Sequence, residues 1–255
     1  MISLDAERAD LPLGIVGTGA MGRGIAQIAA AAGCRVLMYD SRAGAAEEAR
    51  TGLRETFARL VEKGRMSADD AAAASARLIV TGSLAEFALA AVVVEAIVEN
   101  LDAKRALMTE LEAVVGDDCI LATNTSSLSV TAIAAACRRP QRVAGFHFFN
   151  PVPLMRVVEV IGGVLTDPGA VEGLKALARR MGHFPAPAED TPGFLVNHAG
   201  RGFGTEALRI VGEGVADFPV IDRILREAAG FRMGPFELLD LTGLDVSHPV
   251  MESIY

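Results

Sequence analysis

The chain of 255 residues contains no tryptophan, and aromatic residues make up only 5% of it. Its three cysteines, Cys34, Cys119 and Cys137, are widely spaced and form no CxxC pair. An odd, scattered set of this kind gives no disulfide framework, and such cysteines are expected as small buried hydrophobes in a reducing, cytoplasmic setting. Basic residues are outnumbered, 24 against 32 acidic, for a formal net charge of −8. That balance lacks the electrostatic footprint of a nucleic-acid binder. No fixed-period repeat is present, which excludes collagen and solenoid architectures. The opening residues, MISLDAERADLP, carry three acids and no apolar core, so no signal peptide is expected. The longest uncharged run, Cys119–Cys137, is 19 residues long but contains seven Ser, Thr or Asn side chains, Thr123 to Thr131, that would lack partners in lipid. No membrane association is expected.

What is abundant is alanine, valine and leucine. The apolar set reaches 51% and the mean hydropathy is +0.35, values that exclude a disordered chain and suit a helix-rich α/β protein with buried parallel strands. Short apolar runs at Leu13–Gly17, Arg35–Tyr39, Leu78–Val80, Ala91–Glu95 and Ile120–Thr123 alternate with helical patterns, of which Asp102–Val114 is the clearest. This alternation implies βαβ units in a mostly parallel sheet. Val143–Phe149 and Val157–Ile161 add two strands, and a helix near Pro168–Met181 and a strand near His183–Ala186 follow. From Asp190–Gly193 onward the apolar residues recur at helical spacing only. The expected architecture is therefore an α/β, Rossmann-type domain over 1–187 followed by a smaller all-α domain over 188–255. The last residues, Met251–Tyr255, break off within a new pattern, and a longer natural chain is expected.

Four groups of residues carry chemistry. Gly17-Thr-Gly-Ala-Met-Gly22 fits GxGxxG between a strand and a helix, the context that motif requires. Gly17 permits the tight turn, Gly19 the approach of a pyrophosphate and Gly22 close packing of helix on strand. The N–H groups of Ala20 and Met21 then face an anion at the helix start. Asp40, at the end of the second strand, can accept from ribose hydroxyls and repel a 2′-phosphate, which points to NAD; Arg42 nearby is a cation that could tolerate NADP. His147 ends one apolar strand and Glu159 lies within the next. If the strands are neighbours, the carboxylate can orient the imidazole and stabilise its cation for acid–base work; the alternative is a core histidine on a backbone carbonyl with Glu159 on a wet face. Glu95 and Glu99 frame a strand end, where open α/β sheets bind ligands, and Lys104 follows on the next helix; a capping carboxylate with a solvated lysine is the alternative. Lys63 and Arg65 flank Gly64 in a turn, either as solvated charges or as an electrostatic handle for a phosphorylated ligand.

Six runs in order, Gly14–Gly22, Val93–Asn100, Thr123–Ser127, Gly145–Pro153, Asp190–Asn197 and Met233–Asp240, resemble the L-3-hydroxyacyl-CoA dehydrogenase family over nearly the whole chain. The resemblance implies NAD-dependent, reversible oxidation of an (S)-3-hydroxyacyl-CoA to the 3-ketoacyl-CoA. It implies His147 as the acid–base residue, Glu159 as its partner, and Ser126 and Asn197 as groups that orient substrate or nicotinamide. Asp40, Glu99, Lys104 and Asn150 match cofactor-lining positions, and Lys63 a position that contacts the coenzyme A nucleotide. A homodimer paired through the helical domain is also implied.

One stretch departs from the family pattern: His198-Ala-Gly-Arg-Gly-Phe-Gly204 carries three glycines, each weakening a helix by about 1 kcal/mol relative to alanine, and a close approach of some other group is expected there. This stretch resembles members tied to phenylacetate-type catabolism, which are longer chains with a duplicated helical segment. Two other readings stand beside it: an NAD-dependent dehydrogenase of a free hydroxy acid, and a catalytically silent NAD-binding protein.

Overall fold

The structure is a computed structural model and describes residues 2–245, 247 and 248. The interrupted pattern at Met251–Tyr255 lies outside the described residues. The chain divides into two units, Met1–Asp190 and Thr191–Tyr255, at the stretch where the strand-forming runs give way to helical spacing.

In the first unit, strands and helices alternate: β1 (Pro12–Val16), α1 (Ala20–Ala31), β2 (Arg35–Tyr39), α2 (Ala45–Glu62), α3 (Ala68–Ala76), β3 (Leu78–Val80), β4 (Val92–Glu95), α4 (Leu101–Val114), β5 (Ile120–Thr123), α5 (Val130–Ala134), β6 (Val143–Phe148), β7 (Val157–Gly162), α6 (Pro168–Arg180) and β8 (Phe184–Glu189). The strands form one sheet in the order β3-β2-β1-β4-β5-β6-β7-β8. Strands β1 to β6 are parallel; β7 reverses against β6, and β8 runs parallel to β7. The chain winds outward from β1 to β3 and then returns to β4, so the carboxyl ends of β1 and β4 flank a switch point, where doubly wound sheets bind ligands.

Alternation along the strands sorts the core into two layers. Leu13, Ile15, Val92, Val94, Ile120, Ala122, Phe146 and Val160 pack with residues of α1, α2 and α6. Val93, Leu121 and Val143 pack on the opposite face with Met108 and Leu111 of α4 and Ile133 of α5. Each fully buried Leu, Ile or Phe in these layers contributes roughly 1.5–3 kcal/mol. The same parity puts Glu95, Thr123, His147 and Glu159 on the α4–α5 face.

Local sequence explains the element ends. Ser67, Asn100 and Asp167 cap α3, α4 and α6 by accepting from first-turn amides. Strand β8 extends beyond the expected Ala186 because its register with β7 continues to Gly162↔Glu189. Pro185 and Pro187 fit there because β8 is an edge strand, where a missing N–H removes no ladder bond. The uncharged run Cys119–Cys137 resolves into β5, a turn and the five-residue α5, and among the described residues no helix is long and apolar enough to cross a membrane. All three cysteines are free and buried. Burial pushes the Cys119 thiol up to about 12 and the Cys137 thiol up to about 11, so neither is a thiolate nucleophile at neutral pH.

The second unit holds α7 (Val196–Gly212), α8 (Phe218–Glu227) and α9 (Pro235–Thr242). Asp222 of α8 caps α9 across the pair, accepting from the amides of Phe236 at 2.9 Å and Glu237 at 3.2 Å. Ring pairs Phe203–Phe231 and Phe218–Phe236 pack within this unit at 4.7 and 4.6 Å. Helix α7 runs through Gly200, Gly202 and Gly204. Among the described residues of the unit the expected close approach is absent: a Cβ on any of the three would meet no described neighbour within 4 Å.

Candidate active site

The glycine loop joins β1 to α1 at the switch point. Gly17 has φ +91°, and a Cβ there would lie 2.5 Å from the Ala96 carbonyl oxygen. A Cβ on Gly22 would lie 1.8 Å from the carbonyl oxygen of Gly17, so the loop closes on the helix only with glycine at both positions. Gly19 differs: a Cβ there would meet nothing within 4 Å. It borders open space over the start of α1, which has no side-chain cap and no acid in its first turn. The amides of Ala20 and Met21 therefore sit at a bare, positive helix terminus, a cradle that suits a pyrophosphate.

Asp40 follows β2 and faces the same loop. Its Oδ2 accepts from the Thr18 amide at 2.7 Å and the Thr18 hydroxyl at 2.9 Å, and its Oδ1 from the Arg42 amide at 3.0 Å. Burial pushes the carboxyl up, but these donors and the Arg42 charge outweigh it and hold the group below the ordinary aspartate range. Asp40 is thus an anion suited to ribose hydroxyls. The Arg42 guanidinium is committed to Glu48, at 2.7 and 3.3 Å. Thr18, which locks Asp40, carries no sequence signal beyond being the variable residue of GxGxxG.

At the end of β4 the structure corrects one alternative. Lys104 is no solvated lysine: its side chain is 1% exposed and its Nζ lies 2.6 Å from Glu95 Oε1 and 3.2 Å from Glu99 Oε2. Glu95 also accepts from the Ile97 amide at 2.8 Å and the Thr123 hydroxyl at 2.7 Å, the latter because β4–β5 register sets Glu95 beside Thr123. Glu99 Oε1 gathers the next turn, accepting from the Thr125 hydroxyl at 2.5 Å, the Ser126 amide at 2.9 Å, and the Ser127 amide and hydroxyl at 3.2 and 3.0 Å. One buried cation thus holds two carboxylates, and one of these holds the turn that carries Ser126.

Burial pushes the Glu99 carboxyl up, but Lys104, the Thr125 hydroxyl and the Ser126 amide outweigh it, so its folded pKa lies below the ordinary glutamate value. A carboxyl lowered in this way stabilises the fold fully above its unfolded pKa, about 4.3. That contribution fades as pH falls through the lower folded value. E99Q should therefore flatten the acid limb of the stability curve. Urea midpoints measured from about pH 6 down to about pH 3.5 should fall less steeply in E99Q than in the parent chain; equal slopes would contradict this account of Glu99.

His147 and Glu159 oppose each other in the antiparallel β6–β7 register. Glu159 Oε2 lies 2.6 Å from His147 Nδ1, with the histidine side chain 6% and the glutamate 0% exposed. A buried carboxylate accepts, so Nδ1 carries the proton of that bond and the ring's orientation is fixed by it. Asn124, just after β5, braces this end of β6 by accepting from the Phe148 amide at 2.9 Å. Asn150 is exposed where the chain leaves β6.

Two expected site residues stand apart from these bonds. Lys63 lies on the exposed α2–α3 turn with Arg65; its amide closes α2 on the Arg59 carbonyl at 3.2 Å, and its side chain forms no hydrogen bond or ion pair among the described residues. Asn197 lies in the first turn of α7, in the second unit.

Comparison with known proteins accounts for both units. Residues 12–191 match the family model described as 3-hydroxyacyl-CoA dehydrogenase, NAD binding domain, and residues 193–255 match 3-hydroxyacyl-CoA dehydrogenase, C-terminal domain. The chain is 43% identical over 241 residues to 3-hydroxyadipyl-CoA dehydrogenase of Escherichia coli (strain K12), covering 94% of this chain and 51% of that relative. It is 41% identical to a probable 3-hydroxybutyryl-CoA dehydrogenase of Bacillus subtilis (strain 168), covering 94% of this chain and 84% of the relative. It thus spans about half the length of the first relative and most of the second. The crystal structure of (S)-3-hydroxybutyryl-CoA dehydrogenase from Ralstonia eutropha superimposes with a TM-score of 0.94 at 36% identity, covering 97% of this chain and 87% of that one.

Proposed function

Because the chain belongs to the 3-hydroxyacyl-CoA dehydrogenase family, with NAD as its cofactor, we propose that it interconverts (S)-3-hydroxyacyl-CoA and 3-ketoacyl-CoA thioesters through a His147–Glu159 acid–base pair. The observation that carries this reading is the buried 2.6 Å bond between His147 Nδ1 and Glu159, on strands that adjoin the parallel sheet of the glycine loop. Bound NAD supplies the acceptor for the hydride that leaves substrate C3. His147 takes the C3 hydroxyl proton at Nε2, and Glu159 stabilises the imidazolium that forms. In the reverse direction the imidazolium returns the proton to the carbonyl oxygen. Ser126 and Asn197 hydrogen-bond the substrate and orient C3. The backbone of Gly17, Gly19, Ala20, Met21 and Gly22 holds the pyrophosphate, Asp40 the adenosine ribose, and Glu99, Lys104 and Asn150 line the cofactor site, Lys104 by fixing Glu99.

Lys63 is the handle for the coenzyme A nucleotide, a local positive charge on an acidic chain. The helical unit supports a homodimer, since Leu195, Leu208, Val215, Phe218, Phe231 and Leu241 are all exposed, more apolar surface than so small a unit can cover by itself. Free, buried thiols suit a reducing compartment, and we assign the enzyme to the cytoplasm, in fatty-acid or phenylacetate-type aromatic catabolism.

The test is NADH oxidation with a panel of 3-ketoacyl thioesters, from acetoacetyl-CoA to a dicarboxylic member, since one relative is named for 3-hydroxyadipyl-CoA. Turnover with thioesters, and its collapse with the corresponding free acids, is expected. Equal turnover of the free acids would mark a hydroxy-acid dehydrogenase, and no turnover with any substrate would mark an NAD-binding protein without catalysis.

A further inference from the structure

The turn between β5 and α5 is short, polar and held from both ends. At its start stands Glu99, as described. Within it, the Thr125 hydroxyl oxygen accepts from the Leu128 amide at 3.0 Å. At its far end stands Asp190, which follows β8 and comes about sixty residues later in the chain. Asp190 Oδ1 accepts from the Val130 amide at 2.8 Å, and Oδ2 accepts from the Thr131 amide at 2.8 Å and the Ser129 hydroxyl at 2.9 Å.

This is more than a five-residue helix needs for a cap. Ser129 already caps α5 by accepting from the Ala132 amide at 3.1 Å. Asp190 takes the two remaining first-turn amides and the hydroxyl proton of the cap itself, so three donors at the end of the turn converge on one carboxylate. Val130 is fully buried, so its amide has no water to turn to if the carboxylate is removed. On the other flank the Thr131 hydroxyl oxygen accepts from the Val164 amide at 3.0 Å, tying α5 to the end of β7.

We propose that Asp190 is a positioning residue for the reaction, acting through Ser126: with Glu99 it stretches the Thr125–Thr131 segment between two carboxylates and so fixes where the Ser126 hydroxyl stands. The inference rests on the role given to Ser126 above. It also places the restraint at the last residue of the first unit, where the chain departs toward Asn197.

Losing the restraint displaces a substrate-orienting hydroxyl without touching the glycine loop. A shift of about 1 Å at such a group is worth about a hundredfold in rate. D190A should therefore lower kcat about tenfold to a hundredfold, leaving the NADH dissociation constant within about twofold. D190N keeps one acceptor oxygen but turns an NH2 toward the remaining donors, and should fall between the parent and D190A. If Asp190 acts through Ser126, D190A/S126A should be no slower than S126A alone. A purely structural cap would instead make the two losses multiply.

Amide hydrogen exchange supplies a readout independent of turnover: the peptide spanning 124–133 should exchange faster in D190A, or in D190N should D190A fail to fold, with β1–α1 unchanged. Parent-like kcat, multiplied losses in the double variant, or unchanged exchange over 124–133 would each overturn the proposal. Should the parent chain reduce no thioester at all, the functional reading fails on its own account, and exchange alone decides whether Asp190 orders the turn.

Discussion

H147Q should lower kcat for acetoacetyl-CoA reduction by about 10²- to 10⁴-fold, the range a positioned general acid–base group supplies, with the NADH dissociation constant little changed. Glutamine is close in length and its amide can still donate to Glu159, so the buried carboxylate keeps a partner and the strands keep their register. What it cannot do is take the substrate hydroxyl proton or return it, because an amide neither gains nor loses one at neutral pH. Binding and chemistry should therefore separate: NADH fluorescence titration reports an intact nucleotide site, and steady-state kinetics report a loss in kcat. A variant that turns over as fast as the parent removes His147 from the mechanism.

The second large effect is on stability. K104M should destabilise the first unit by about 3–5 kcal/mol, the loss expected when one partner of a buried ion pair is deleted. This is a large part of the roughly 5–15 kcal/mol that holds a domain together. Methionine fills nearly the same volume, so the loss comes from Glu95, which is fully buried and would keep the Thr123 hydroxyl and Ile97 amide but lose the cation paired with it. A fall in Tm of about 6–20 °C follows for a unit of this size. The double variant E95Q/K104M should recover a substantial part of it, because neutralising the glutamate removes the stranded charge. K104M as stable as the parent, or a double variant less stable than K104M, would contradict this assignment.

What the linear sequence revealed and what it concealed divide by range. Strand and helix positions come from period-two and helical alternation and from the glycines at 17 and 22, all of which act within a few residues. The GxGxxG turn is legible for the same reason, since its glycines are demanded by backbone atoms beside them. Lys104 reads as solvated from its neighbours, because only the β4–β5 register and the docking of α4 bring Glu95, Thr123 and Glu99 around it. Asp190 opens a family run and marks the change to helical spacing, but nothing in the sequence joins it to its three partners: they lie about sixty residues earlier, at the start of a helix too short to show a period. Thr18 is concealed differently, since a threonine in a loop has many uses and only the fold of β2 aims Asp40 at it. His147 and Glu159 lie between these cases, visible as polar residues in apolar strands but joined only by the reversal of β7.

That reversal has a consequence for how this chain can change over evolutionary time. Side chains along a strand alternate between faces, so a slip of one residue between β6 and β7 would turn Glu159 through the sheet and set His147 opposite Val158 or Val160. The connection from Phe149 to Arg156 is therefore free in composition and in length only so far as the phase of the two strands survives. Here an insertion would act as a frame error in space: every residue of β7 would remain present, and the imidazole would face a hydrocarbon.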